Sequence, residues 1–177
     1  MGRSGAIGRT VISVIVDHDL CVGCGICAGV CPRGRLQMEF NRYGEYIPSL
    51  PEDGCNEKCE LCLKVCPFHT QEHNENTIAE AIYAHESKIE HRSETGYYLS
   101  SYVGHVEDEE RRWNSASGGL ASWFMGELLR EDIVDRVICV TADNKVGRLF
   151  KYISTDNPVI VYSSSRSCYF PVELSSM

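Results

Sequence analysis

The spacing of hydrophobic and polar positions predicts short elements in the first half of the chain. Residues 11–16, VISVIV, are mostly β-branched, which is typical of a strand. Residues 36–48 predict a β-hairpin, because the runs LQMEF and EYIPSL flank the turn sequence NRYG. From residue 77 to residue 91 apolar side chains recur at helical spacing, with Asn74 or Asn76 as the N-cap.

The second half predicts a strand, a helix and another strand. Residues 97–106 are rich in aromatic and β-branched side chains, as in strands, and the charge run 107–110 is typical of a solvated turn or helix start. Residues 120–131 form an amphipathic helical pattern, and residues 133–141 predict a buried strand. This order is that of an α/β unit, and residues 159–165 lie where its sheet should continue.

Length and charge limit the classes of protein. The chain has 177 residues, enough for one ordinary domain or two small ones, and a net charge of −8. Residues 1–66 hold 7 basic and 8 acidic residues, whereas residues 67–177 hold 10 and 17. An acidic surface argues against nucleic acid as a partner, because phosphate contacts need Lys and Arg. No apolar run reaches the length of a membrane span.

Eight of the ten cysteines fall in two runs, each followed by proline. The first run, CxxCxxCxxxCP, has the spacing of bacterial ferredoxins, in which the fourth cysteine ligates the other cluster. The second run has one extra residue in its first gap. We therefore expect two [4Fe–4S] clusters, with glycines between the cysteines because a close backbone favours a residue without Cβ. The expected ligand sets are Cys21, Cys24, Cys27 and Cys66 for one cluster, and Cys55, Cys59, Cys62 and Cys31 for the other.

Three other kinds of site could also use these cysteines. Structural zinc takes four ligands per site, usually as two separated pairs, and fits two consecutive quartets poorly. A disulfide framework is disfavoured because the first twenty residues show no secretory signal pattern. Thiol–disulfide chemistry needs one pair of cysteines rather than two quartets. Reduced thiolate ligands indicate a cytoplasmic setting.

A Ser/Gly-rich stretch precedes the amphipathic helix of residues 120–131. Ser115, Ser117, Gly118 and Gly119 would lie at its N-terminus, where backbone N–H groups and the helix dipole favour an anion such as phosphate. The alternative is that Ser117 is only the N-cap of the helix.

Two segments that follow this stretch in the sequence help to interpret it. The sequence SASGGLA, the helix, VDRVI and the segment SRSCYFPV together resemble the beta subunits of coenzyme F-420 hydrogenases and formate dehydrogenases. The resemblance covers residues 11–70 and 93–177, and only the second stretch is specific to that family. It implies a flavin (FAD) domain that exchanges hydride with a deazaflavin or another two-electron partner, and electrons with the clusters. The residues that it places near the flavin are Ser117, Gly118, Gly119, Ser167 and Tyr169. Arg166 is expected either to pair with a phosphate or the flavin ring, or to be a solvated surface charge.

The expected fold class is α+β, with a two-cluster ferredoxin-like domain followed by the start of an α/β flavin domain. The expected divisions are residues 11–70, a linker and helix at 71–92, and an incomplete flavin domain at 93–177. In the family the flavin domain continues beyond the Tyr-Pro segment, so a stop at Met177 suggests an N-terminal fragment or a truncated homologue. The expected function is an iron–sulfur flavoprotein oxidoreductase subunit working with a catalytic subunit. The alternative is a ferredoxin-like electron carrier with a partner-docking domain and no flavin. Of the other cysteines, Cys139 is expected to be an inert core residue, and Cys168 has no assigned role.

Overall fold

The first part of the molecule consists of one-turn helices and a hairpin around a small apolar core. The structure is a computed structural model that describes residues 9–52, 54–55, 59–69, 72 and 74–177. Val11, Ile15 and Leu63 are almost fully buried at the centre of the core. The elements are α1 (Val11–Val14), α2 (Ile26–Gly29), β1 (Gln37–Phe40), β2 (Tyr46–Ser49) and α3 (Leu61–Lys64), with a 3-10 turn at Val16–His18.

The strand predicted at residues 11–16 is wrong, because this run begins with helix α1. Ser13 donates its hydroxyl to the Thr10 carbonyl and accepts the Thr10 N–H, each at 3.2 Å, which closes the first turn. The helical turn places Val11 and Ile15 on one face, where they are 2% and 1% exposed. Burial of this i, i+4 pair therefore overrides the strand preference of β-branched residues.

The predicted hairpin is confirmed. Strands β1 and β2 are antiparallel, with Gln37 opposite Ser49 and Phe40 opposite Tyr46. The Asn41 side-chain oxygen accepts the N–H groups of Tyr43 and Glu45 at 2.9 and 3.0 Å, which fixes the turn.

The middle of the chain holds α4 (Glu75–Tyr83) and a small hairpin of β3 (Glu90–Arg92) and β4 (Gly96–Tyr98). Asn74 caps α4, since its side-chain oxygen accepts the N–H groups of Asn76 and Thr77 at 3.0 Å each. The helix is shorter than predicted, and its apolar face is half exposed at Ile78 and Ile82. Residues 71 and 73 of the expected linker lie outside the described residues.

The last part combines three helices with a two-stranded antiparallel ribbon. Helices α6 and α7 cover the ribbon around buried Leu129, Val137 and Val161. In the described part of the chain, no helix is both long and apolar enough to cross a membrane. The elements are α5 (Glu109–Trp113), α6 (Leu120–Arg130), β5 (Val137–Lys145), β6 (Arg148–Thr155) and α7 (Pro158–Ser163).

Helix α6 lies where the sequence predicts it, whereas the strands predicted before and after it differ from the observed elements. The strand expected at 133–141 begins only at Val137, and Ile138 on it is 58% exposed, so the strand is not fully buried. Residues 99–106 lie outside the regular strands. The prediction that the sheet continues at 159–165 is wrong. Pro158 begins helix α7 there, and the Asn157 side chain accepts the Val159 N–H at 2.9 Å. The described fold is thus mixed helix and antiparallel strand rather than a parallel α/β unit.

Candidate functional site

The structure gathers the first three cysteines of the first run around one cavity, together with the last cysteine of the second run. Helices α2 and α3 pack together, and each is followed two residues later by the last cysteine of its run. The Cys31 N–H bonds to the Ala28 carbonyl at 3.2 Å, and the Cys66 N–H bonds to the Leu63 carbonyl at 3.1 Å. This matched geometry directs Cys66 into the first cavity, whose cysteine lining is Cys21, Cys24, Cys27 and Cys66.

A second cavity has the reciprocal lining, since Cys31 of the first run joins three cysteines of the second. Thr10, Leu36 and Leu50 close its apolar wall. Among the described residues, no three Cys, His, Asp or Glu side chains converge closely enough to hold a single metal ion. A [4Fe–4S] cluster instead takes one thiolate at each of its four corners, so a cavity lined by four cysteines is the relevant geometry. The cysteine lining is Cys31, Cys55, Cys59 and Cys62.

The thiols of the cavities differ in electrostatic environment. Burial, reinforced by the neighbouring Cys24 and Cys21, raises the pKa of Cys27 to about 12. Burial also raises the pKa values of Cys62 and Cys66. Because cysteine binds metals as the thiolate, each of these thiols must release a proton when it becomes a ligand.

Backbone N–H groups point at two of the sulfurs. The Gly23 N–H donates to Cys21 Sγ at 3.5 Å, and the Arg35 N–H donates to Cys31 Sγ at 3.3 Å. Burial acts to raise the pKa of Cys31, but bonds from the Leu36, Arg33, Arg35 and Gly34 backbone outweigh it and lower that pKa. Such bonds stabilise a thiolate and tune the potential of an iron–sulfur site.

The second candidate site is a cavity of about 670 Å³ between α5, α6 and α7. Its size is in the range of small-molecule sites. Ser115, Gly119, Ser122 and Arg166 line it at the N-terminal end of α6, where unpaired helix N–H groups favour an anion. Arg111, which no sequence motif indicated, also lines the cavity, and Asp108 and Glu110 add negative charge. The donor set fits an anionic group at the Arg166 end of the cavity.

Arg166 is held in place at this cavity. Its guanidinium donates to the Asn114 side-chain oxygen at 2.7 Å and to the Asn114 carbonyl at 3.4 Å. Its φ of +105° lies in the region that favours glycine, so the loop stores strain where the arginine is aimed. Arg111 stacks over the Tyr162 ring at 4.4 Å, and the Tyr162 hydroxyl donates to Glu127 at 3.3 Å.

Four predicted residues do not line this cavity. Gly118 packs against the preceding loop, where its carbonyl accepts the Val106 N–H at 2.8 Å. Ser117 has a φ of +54° and is not the N-cap, a position taken by Gly119. Ser167 is exposed and Tyr169 is fully exposed. The two remaining cysteines line a neighbouring open cavity of about 550 Å³, where Cys139 is half-buried rather than in the core and Cys168 is exposed.

Comparison with known proteins defines the class of the first part. Residues 20–70 match the model of the 4Fe-4S dicluster domain, so this part is an iron–sulfur domain of the ferredoxin type. A ferredoxin of Methanocaldococcus jannaschii is 36% identical over 56 residues, which cover 32% of this chain and 70% of the ferredoxin. Ferredoxin-3 of a Nostoc species is 29% identical over 72 residues, covering 33% of this chain and 74% of that protein.

Residues 101–177 match the model of the N-terminal domain of the coenzyme F420 hydrogenase/dehydrogenase beta subunit. Residues 101–177 are therefore similar to that beta subunit domain, and they follow a ferredoxin-type dicluster domain in the chain.

Proposed function

We propose that the protein is an electron-transfer subunit that binds two [4Fe–4S] clusters with crossed ligation. The observation that supports this most directly is the exchange of Cys31 and Cys66 between the two cavities. The first cluster would be held by Cys21, Cys24, Cys27 and Cys66, and the second by Cys31, Cys55, Cys59 and Cys62. Bound clusters of this type supply one-electron chemistry.

We further propose that the cavity between α5, α6 and α7 binds a flavin or deazaflavin. Its supports are the match of residues 101–177 to the beta subunit family and the anion-binding geometry of Ser115, Gly119 and Arg166. In this proposal Arg166 and the α6 N-terminus hold an anionic group of the ligand. Ser117 and Gly118 shape the loop beneath it without touching it, and Tyr169 takes no part in this cavity.

The redox partner and the cellular compartment are proposed from the family match and from the thiolate ligands. A beta subunit of a hydrogenase/dehydrogenase type works in a complex, so we propose a catalytic subunit as the redox partner. Thiolate ligands are maintained in reducing compartments, and we propose the cytoplasm.

A second candidate function is a ferredoxin-like electron carrier whose last part docks a partner without flavin. The observation that favours it is that the curated relatives are ferredoxins that match only about a third of this chain. The two candidates share the clusters and differ in the flavin.

The test is anaerobic expression followed by iron, sulfide and flavin analysis. Two clusters give about eight irons and eight labile sulfides per chain, and an absence of labile sulfide would refute both candidates. Titration with FAD and with oxidised deazaflavin, followed by fluorescence, then separates them. Arg166→Ala should weaken binding about tenfold or more, whereas Arg42→Ala, an exposed arginine of the hairpin turn, should not. Two intact clusters with no binding of either ligand support the carrier.

A further inference from the structure

The segment of residues 170–177 lies against the first cysteine loop, although in the chain it follows the residues that line the cavity between α5, α6 and α7. The Leu174 N–H donates to the Cys24 carbonyl at 2.9 Å. The Ser175 Cα and carbonyl oxygen both lie 3.4 Å from the position that a Cβ on Gly29 would occupy. The segment therefore packs on the backbone that presents Cys24 and Cys27.

This contact brings a carboxylate to the loop. A Cβ on Gly25 would lie only 2.5 Å from Glu173 Oε2, so the carboxylate rests against the loop between Cys24 and Cys27. The same oxygen accepts the Ser175 N–H at 2.6 Å, which fixes its position. Glu173 is half-buried, and its charge is screened less than that of a surface side chain.

The same segment also contacts the ribbon of β5 and β6 and the hairpin of β1 and β2. Phe170 packs between Phe150 of β6 and Phe40 of β1, with ring centroids 5.9 and 6.2 Å away. Arg148 donates to the Ser176 hydroxyl at 3.3 Å. Movement of the last part of the chain would thus be transmitted to the first loop.

We propose that the 170–177 segment couples the last part of the chain to the first cluster, and that Glu173 is a positioning residue that lowers this cluster's reduction potential relative to the second. The inference rests on the proposed binding of the first cluster by Cys21, Cys24, Cys27 and Cys66. Reduction adds a negative charge to a cluster, and a fixed carboxylate beside it disfavours that charge. The carboxylate contacts the loop of the first cluster, so its effect is larger there.

The test is a redox titration of the full reconstituted chain, followed by electron paramagnetic resonance. The signal missing from Cys24→Ala identifies the first cluster. Glu173→Gln should raise the midpoint of that signal by about 59 mV, a tenfold change in a one-electron equilibrium, and leave the other signal in place. Glu173→Asp keeps the charge and should keep the order of the two potentials. Glu131→Gln, which removes an exposed carboxylate at the end of α6, should shift neither.

Three results would overturn the inference: no shift, an equal shift of both signals, or a shift of the second signal alone. If Glu173→Gln assembles only one cluster, the potentials are measured in Glu173→Ser. Loss of the first cluster in both variants would show that the carboxylate is needed for assembly, which also overturns the tuning role. An absence of labile sulfide in the unaltered chain refutes the proposed function itself, whereas eight irons with unshifted potentials refute the inference alone.

Discussion

Gly126 lies in the middle of helix α6, where alanine is ordinarily the better residue. Replacing glycine by alanine in a helix interior ordinarily stabilises the helix by about 1 kcal/mol. Here, however, Gly126 is buried against α7, and a Cβ at this position would overlap the ring of Tyr162, with Cε1 at 2.6 Å. We therefore predict that Gly126→Ala destabilises the protein.

The expected loss of stability can be estimated from the contacts that Tyr162 loses. Overpacking of this kind costs about 1–3 kcal/mol. Displacing the ring also weakens its hydrogen bond to Glu127 and its stacking with Arg111, each worth about 0.5–1 kcal/mol. After subtracting the helical gain of about 1 kcal/mol, the expected net loss is about 2 kcal/mol. Because Tyr162 lines the cavity between α5, α6 and α7, the flavin binding proposed there should weaken as well.

Urea unfolding monitored by tryptophan fluorescence measures this effect locally. The chain has two tryptophans, Trp113 in α5 and Trp123 in α6, so the signal reports the last part of the molecule. In a Tyr162→Ala background the space is free, and Gly126→Ala should then stabilise by about 1 kcal/mol. The double-mutant cycle should thus give a coupling of about 3 kcal/mol. Stabilisation by Gly126→Ala in both backgrounds would refute the packing argument.

Three further predictions concern the helices and the cysteines. Asn74→Ala removes the cap of α4 and should lower the local stability of that helix by about 1 kcal/mol, seen as faster amide exchange of Thr77; unchanged exchange contradicts the capping role. Cys31→Ala should remove the resonance signal that remains in Cys66→Ala, and loss of the same signal in both variants contradicts crossed ligation. Burial raises the pKa of Cys27 to about 12, so this thiol still carries its proton at neutral pH and must lose it when iron binds. Cluster assembly should therefore be faster at about pH 9 than at about pH 7, and equal rates at the two pH values contradict this.

The cysteine runs and the first hairpin could be predicted because their signals are local. Spacing within a run sets which thiols share a loop, and the turn sequence NRYG with its flanking alternation sets a register. Helix α6 was equally clear, since its apolar spacing extends over three turns.

The wrong predictions have two causes: tertiary contacts that override a local preference, and two local signals that compete in one segment. Residues 11–16 became helical because Val11 and Ile15 could be buried together on one helical face. Residues 159–165 were predicted to extend a sheet from the β-branched run VIV, but the helix start signal of Asn157 and Pro158 is stronger. Only part of the cavity between α5, α6 and α7 could be predicted, because Arg111 and Asn114 join Arg166 in its lining through the fold and not through the sequence.

The glycines of the first cysteine run show why a correct pattern can have a different physical cause. The sequence suggests that they leave room for a cluster, yet Gly23 faces the β2 backbone, with the Tyr46 carbonyl carbon 3.2 Å from the position of a Cβ, and Gly25 faces Glu173. Both also have φ near +70 to +80°, which strains other residues. The loop is therefore shaped from outside by the hairpin and by the 170–177 segment. Any change in those two elements acts on the first cysteine loop through its backbone, even where no cysteine is altered.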